Sequence, residues 1–310
     1  MTAEVAKLNS EGISTRQSPT IEALRRLVRH RSAQVGFVLL FILILVAIFA
    51  NVIAPYSPTD PVPDFLTRAK PCIHILGCPA DKPQYIMGLD GNGRDLFSRV
   101  IFGSRLSLEI GLVTIGFAII VGGLLGAISG FLGGWVDNLI MRCMDILMAF
   151  PALLLAIAIV SVLGQGLINA LLAIGIVSIP RYARLVRATV LSVKEQEYVS
   201  ASKALGASPL NLLFNRILPN ALTPLIVQGT LGIATAILDA AALSFLGLGA
   251  QPPTPEWGVM LGDEHNSVFN APHLVFFPGI AIMFTVLSFN LVGDGLRDAL
   301  DPRLRGGSKA

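Results

Sequence analysis

The chain has 310 residues, of which 53% are hydrophobic and only 14% charged, with a formal net charge of +3 and a mean hydropathy of +0.70. Soluble domains carry about 25% charged residues, so this composition excludes an ordinary water-soluble domain and places the chain in a lipid bilayer. The small net charge gives no footprint for nucleic acid.

A bilayer core needs about 20 apolar residues per helix, which predicts an all-α integral membrane protein with six transmembrane helices near 35–54, 107–129, 139–163, 167–189, 221–246 and 273–293. Residues 1–34 form an N-terminal tail, 35–293 the membrane domain and 294–310 a C-terminal tail. In the tail, Ser18 and Pro19 read as a cap and first turn. Ile21, Leu24, Leu27 and Val28 then share one face opposite Arg25, Arg26 and Arg29. This predicts an interfacial helix on anionic headgroups; a basic tail that merely sets topology is the simpler alternative. The first apolar run is long enough to stay as an anchor, and the preceding residues lack a signal-peptide core.

The loop 55–106 holds Arg68, Lys70, Lys82, Arg94, Arg99 and Arg105. Those residues dissent from the rule that Lys and Arg mark the cytoplasmic side, and the parity of the six spans puts the loop outside. Cys72 and Cys78 are expected to pair if that side is oxidising; a metal site with His74 is the rival reading. From Asp90, DGNGRDLFSRVI begins like a calcium loop, but Arg94 and Asp95 replace a ligand and the obligatory Gly, and Ile101 stands where the closing Glu belongs. Glu109 reads as a solvated charge at the outer end of span two.

Further along, Cys143 reads as packing, and Asp145 lies one turn past Arg142, which predicts a local ion pair. A place in the transport path is the functional alternative for Asp145. Pro151 is expected to bend its helix. The uncharged run 146–180 is too long for one span, and Gly164, Gln165 and Gly166 divide it. Arg181, Arg184, Arg187, Lys194, Lys203 and Arg216 place the following loop inside, together with the basic N-terminal and C-terminal segments. Both termini are thus expected on the cytoplasmic side.

Residues 197–219 form a polar interval between two groups of spans. Glu197 to Leu205 suit a helix with Tyr198, Ala201 and Leu205 on one face. Gly206 ends it, Ser208 caps a second helix with Pro209 in its first turn, and Pro219 stops the polar section. Small side chains at Ser200, Ala201, Ser202 and Ala204 would let a partner approach closely.

Asp239 stands inside span five, about 10 Å from its outer end at 1.5 Å per residue. Charges in membrane helices are costly and usually face water or a bundle interior. Contact with a substrate amino group and a structural hydrogen bond are both open readings. In GAQPPTPEWG the prolines hold an outside loop and Trp257 is expected at the interface; Asp294 is expected to cap a short helix ending before Pro302.

Nucleotide chemistry is tested by sequence: the six lysines follow Ala6, Ala69, Asp81, Val193, Ser202 and Ser308, so none sits in a Walker A loop, which needs Gly before Lys. The four histidines form no HExxH.

The 197–219 interval resembles the EAA loop of prokaryotic ABC-importer permeases. Ser200, Ala201 and Ser202 stand at the EAA position, followed by Gly206 and by Pro219 at the family's spacing. The expected first acidic residue is missing, and Glu197 lies three residues earlier. GLDGNGRDLFSR (88–99), MRCMDILMAFP (141–151), LSFLGLGAQPPTPEWG (243–258) and FNLVGDGLRDALDPRLR (289–305) likewise resemble the dipeptide, oligopeptide and nickel permease family, in its C-type subunit. Many members are acidic at the position of Ala240, whereas this chain has Asp239. The resemblance implies a bacterial inner-membrane subunit that binds no cofactor or metal of its own. It also implies a second permease subunit, two ATPase subunits carrying ATP and Mg, and an external binding protein. Glu197, Tyr198, Ser200, Ala201, Ser202, Leu205, Gly206 and Ser208 are the expected ATPase contacts. Dipeptides, oligopeptides, glutathione and nickel chelates are the candidate cargoes. An ion-gradient transporter would show paired inverted repeats, and these halves lack them.

Overall fold

A computed structural model describes residues 30–300 and Leu27, apart from residues 64, 65, 80 and 82. The expected amphipathic helix therefore lies outside the described residues, except that Leu27 packs with Ala33 and Ala299.

The described residues are helical with irregular connections. The long elements are α1 (Arg31–Ile48), α2 (Leu96–Leu132), α3 (Gly134–Met148), α4 (Ala152–Leu163) and α5 (Leu167–Lys194). They continue as α6 (Glu197–Ala204), α7 (Pro209–Phe245), α8 (Trp257–Glu264) and α9 (His273–Leu300). Five of these are long and apolar enough to cross a membrane, and α3 with α4, bent by 92° at the break between them, brings the number to six when the pair is taken as one span. Pro151 stands at that break as the residue before α4. It lacks an N–H for a continuous ladder, so the expected bend is a full interruption.

Several boundaries differ from expectation. Helix α2 starts at Leu96 rather than 107, because the Asp95 carboxylate caps it by accepting from the Ser98 amide at 2.8 Å. Pro219 does not stop the polar section: it lies within α7, whose Leu212–Ile217 stretch is wound as a π-helix leading directly into the membrane crossing. Asp294 caps nothing, since α9 runs through it to Leu300. Trp257 is not interfacial but 1% exposed, with its indole N–H donating to the Val100 carbonyl at 3.0 Å. The basic residue Arg105 belongs to α2, where its guanidinium holds the carbonyls of Ala47 and Ile48 at the end of α1 and the Asn51 side chain in the turn that follows.

The core interface joins α2 to α5. Gly122, Gly126 and Gly130 repeat every four residues along α2, and a Cβ on any of them would press on the backbone of α5 at Ile179, Ala183 or Arg187. Apolar lipid supplies no hydrophobic drive for helix pairing, so close backbone approach at small residues is what holds the pair. A second small-residue contact docks α1 on α9, with Gly36 against Leu291 and Val292, and Ala33 against Gly295.

Two ends result. The loop-rich end carries residues 54–95 and 246–272; Arg99 ties them by donating to the Pro58 and Pro253 carbonyls at 2.8 and 3.0 Å. The opposite, basic end carries α6 and the described chain ends, where His30 lies 3.4 Å from Asp298.

Candidate functional site

Three places gather the chemistry-bearing side chains. The first is a cavity of about 230 Å³ between α2, the α3–α4 break, α5 and α7. Arg181 and Asp239 both line it, with Tyr182, Ser178, Thr235 and Phe150. Gly232 leaves the space that the Tyr182 hydroxyl occupies. Arg181 was counted with the basic residues that place the loop after span four inside; it sits midway along α5. It ends the uncharged run 146–180 while still inside the expected span 167–189, and that position was the signal available.

Asp145 does not line this cavity, and its partner is not Arg142: the Arg184 guanidinium donates to it at 2.6 Å. Asp137 takes Arg187 through both oxygens, at 2.5 and 2.6 Å, and also accepts from the Ser129 hydroxyl. These two contacts staple the short, bent segment α3 to α5. Glu109 is exposed on α2, well inside the helix rather than at its end.

The second place is the elbow at the basic end. Helix α6 ends in a Schellman turn: the Gly206 amide donates to Lys203, the Ala207 amide to Ser202, and Gly206 takes φ +86°. The Ser208 hydroxyl then accepts from the Asn211 amide at 3.4 Å with Pro209 in the first turn. Val199 anchors α6 by packing on Leu212, Leu213 and Ile217. Tyr198 is pinned to α7 through its hydroxyl, which donates to the Arg216 carbonyl and accepts from Asn220. Ser202 donates to the Tyr198 carbonyl at 2.8 Å. Glu197, Ser200 and Ala201 are exposed, and Leu205 and Leu210 are 89% and 68% exposed. Leu210 and the neighbouring exposed Phe214 were not among the expected contacts; their spacing of four residues, one helical turn, was the legible sign.

The third place is the cap at the loop-rich end. Asp90 accepts from the amides of Asn92 and Arg94 and from the Arg94 guanidinium at 2.7 Å, and Arg99 lies 3.4 Å away. The motif that failed as a calcium loop is thus closed by its own arginine. Glu264 bridges loops by accepting from Arg68 and from the Gly91 amide. Glu256 caps α8 through the Val259 amide. Burial pushes its carboxyl above the ordinary range, against the opposing pull of the Gly258 and Val259 amides and the Ser244 hydroxyl. Burial likewise raises Asp263, although Arg94 and Arg99 oppose the shift. Cys72 and Cys78 are joined in a disulfide, with Cα atoms 5.3 Å apart, and a pair of hydrogen bonds ties Cys72 to Tyr85. No group of metal-ligating side chains occurs among the described residues.

Residues 122–306 match the family described as the binding-protein-dependent transport system inner membrane component, and residues 18–71 match the N-terminal transmembrane domain of oligopeptide transport permease C. The chain belongs to this permease family. It is 47% identical to a dipeptide transport system permease protein DppC of Alkalihalophilus pseudofirmus, over 98% of this chain and 97% of that protein. A di/tripeptide transport system permease protein DppC of Pseudomonas aeruginosa is 48% identical, over 93% of each. A glutathione transport system permease protein GsiD of Escherichia coli is 44% identical, over 94% of this chain and 92% of that protein. Among solved structures, an inward-facing methionine ABC transporter, MetNI, superposes with a TM-score of 0.55 at 19% identity, covering 66% of this chain and 97% of the matched chain. That likeness concerns the fold. The protein is a multi-pass membrane permease subunit of an ABC importer, a class that works with ATPase and binding-protein partners.

Proposed function

We propose that this permease carries dipeptides and other short peptides into the cell as one half of a translocation pathway. The observation supporting the cargo is its 47% and 48% identity, over nearly the whole chain, to relatives named for dipeptide and di/tripeptide transport. Its partners are a DppB-like permease subunit, DppD- and DppF-like ATPases and a DppA-like binding protein. The chain itself is not catalytic: ATP and Mg are held and used by the ATPase chains. Both termini and the elbow face the cytoplasm, and residues 55–95 and 246–272 face the binding protein.

Coupling runs through the elbow. Glu197, Tyr198, Ser200, Ala201, Ser202, Leu205, Gly206 and Ser208, with Leu210, form the seat for an ATPase. The exposed leucines supply apolar area there, and Gly206 and Ser208 hold the helix pair at its angle. Closure of the ATPases on ATP pushes this elbow, and α5 and α7 pass the movement to the cavity beside Asp239. ATP shifts the equilibrium only by binding the closed state more tightly. Asp239 meets the ammonium group of the peptide in that cavity.

Coexpression with the partner subunits tests the reading. A Walker-motif ATPase is expected to copurify, to be lost on Ala201→Arg or Gly206→Pro, and to drive dipeptide uptake that unlabelled dipeptides suppress more strongly than glutathione or nickel. Uptake that persists without an ATPase and follows an ion gradient overturns it.

A further inference from the structure

The Asp239 cavity also holds a cation, and the peptide reading does not yet use it. Arg181 lies fourteen residues from the loop-rich end of α5, and Asp239 six residues from the same end of α7. At 1.5 Å per residue the two α-carbons are offset by about 12 Å along the helices. Side chains on an α-helix lean toward its N-terminus. Helix α5 begins at the loop-rich end and α7 at the basic end, joined at the former by the Gly166 amide donating to the Leu248 carbonyl. Arg181 therefore leans toward Asp239, and Asp239 toward Arg181. Among the described residues no carboxylate comes within 4.0 Å of the Arg181 guanidinium, whereas Arg184 and Arg187 on the same helix are each paired. An unpaired arginine at mid-membrane depth is expensive unless it faces water or a ligand.

We infer that Arg181 takes the C-terminal carboxylate of the cargo while Asp239 takes its ammonium group, so that the cavity selects short zwitterionic peptides. This rests on the peptide-import reading and sharpens it. Two extended residues span about 7 Å, which fits between side chains that lean together across the 12 Å offset; longer peptides overrun it. The guanidinium fork is suited to a carboxylate through paired hydrogen bonds.

The test compares a free-acid dipeptide, Ala-Ala, with its C-terminal amide in proteoliposomes holding the whole transporter and its binding protein. Wild type is expected to favour the free acid. Arg181→Gln is expected to cut free-acid uptake at least tenfold and to bring the two peptides within twofold of each other, while Arg181→Lys keeps the preference. An unchanged ratio in Arg181→Gln, or equal loss of both peptides, overturns the inference. If Arg181→Gln does not assemble, labelling of Thr235→Cys in a Cys143→Ser background decides: free Ala-Ala should slow alkylation at least threefold and the amide should not, and equal protection by both overturns it. Wild-type vesicles that take up neither peptide but move another solute on ATP refute the peptide-import reading itself; retained discrimination in a transporting Arg181→Gln complex refutes only the role of Arg181.

Discussion

The two ends of the molecule use opposite materials. At the loop-rich end the charges are inside: the side chains of Asp90, Arg94 and Arg99 are 7%, 6% and 1% exposed. At the basic end the apolar groups are outside, with Leu205 and Leu210 on an elbow that buries little beyond Val199. A buried ion must be paired and hydrogen-bonded or the structure fails, so the first end is a finished object that fixes α2 against the 246–264 segment. Exposed leucines on a helix pair held by a Schellman turn and a serine cap are stabilised as a shape without being covered, which is how a surface awaiting another protein looks.

The largest effect should come from breaking the finished end. Asp90→Ala removes the carboxylate shared by two buried guanidinium groups, leaving Arg99 its carbonyl acceptors and Arg94 only Asp263 at 4.0 Å. It is expected to cost about 3 kcal/mol, read as a fall in the thermal midpoint of the detergent-solubilised complex. A change no greater than that of Leu205→Ala would show that the charge cluster is solvated rather than built in. Next comes the unfinished end. Leu210→Asp should leave that midpoint nearly unchanged yet weaken ATPase binding by about 30-fold, the equivalent of a hot-spot loss near 2 kcal/mol. Titration of purified ATPase onto the reconstituted permease checks it, and unaltered affinity would remove Leu210 from the docking face.

The same contrast explains what was legible in the sequence. The turn of the elbow was readable, because Gly206, Ser208 and Pro209 act on their own backbone and need no distant partner, whereas Pro219 and the exposed Leu210 and Phe214 were not. Span number followed from apolar length, and Pro151 announced its break. The loop-rich end was opaque for the converse reason. Trp257 looked like an interfacial anchor because nothing near it reports the Val100 carbonyl, 157 residues away. Asp90 looked like a failed calcium ligand although its partner Arg94 is only four residues on, and Asp294 looked like a cap although α9 continues through it. Helix α2 began eleven residues early because its first turns are buried, Ser98 against Tyr56 and Arg99 against the Pro253 carbonyl 154 residues away. Asp145 met Arg184 rather than Arg142 because α3 lies against α5. The glycine repeat on α2 was visible as spacing but could not name its partner helix.

A smaller effect tests how finished the loop-rich end is. Burial raises the Glu256 carboxyl above its ordinary range, so the folded state holds that proton more tightly than the unfolded state does. The associated stability is present below the ordinary glutamate range and is lost as pH rises through the raised folded-state value. The protection of amides at the start of α8, with the intrinsic base-catalysed exchange rate divided out, should therefore fall as pH rises from acidic to neutral, and Glu256→Gln should flatten that part of the profile. An equally steep profile in the variant would assign the titration to Asp263, which is raised in the same direction.

The smallest effect concerns the two staples on α3. Arg184 and Asp145 are 43% and 52% exposed, whereas Arg187 and Asp137 are 33% and 14% exposed. Exposed pairs contribute about 0–1 kcal/mol, so Asp145→Asn should barely move the thermal midpoint. Asp137→Asn removes an ionic two-point contact and weakens the Ser129 hydrogen bond, so it should cost more. Both staples hold the same bent segment to the same helix, which makes the ratio informative: if the Asp145 variant is the more damaging, a partner subunit must cover that pair and remove it from solvent. Segment α3 would then be clamped from outside the chain, and the bend at Pro151 would answer to the partner as well as to α5.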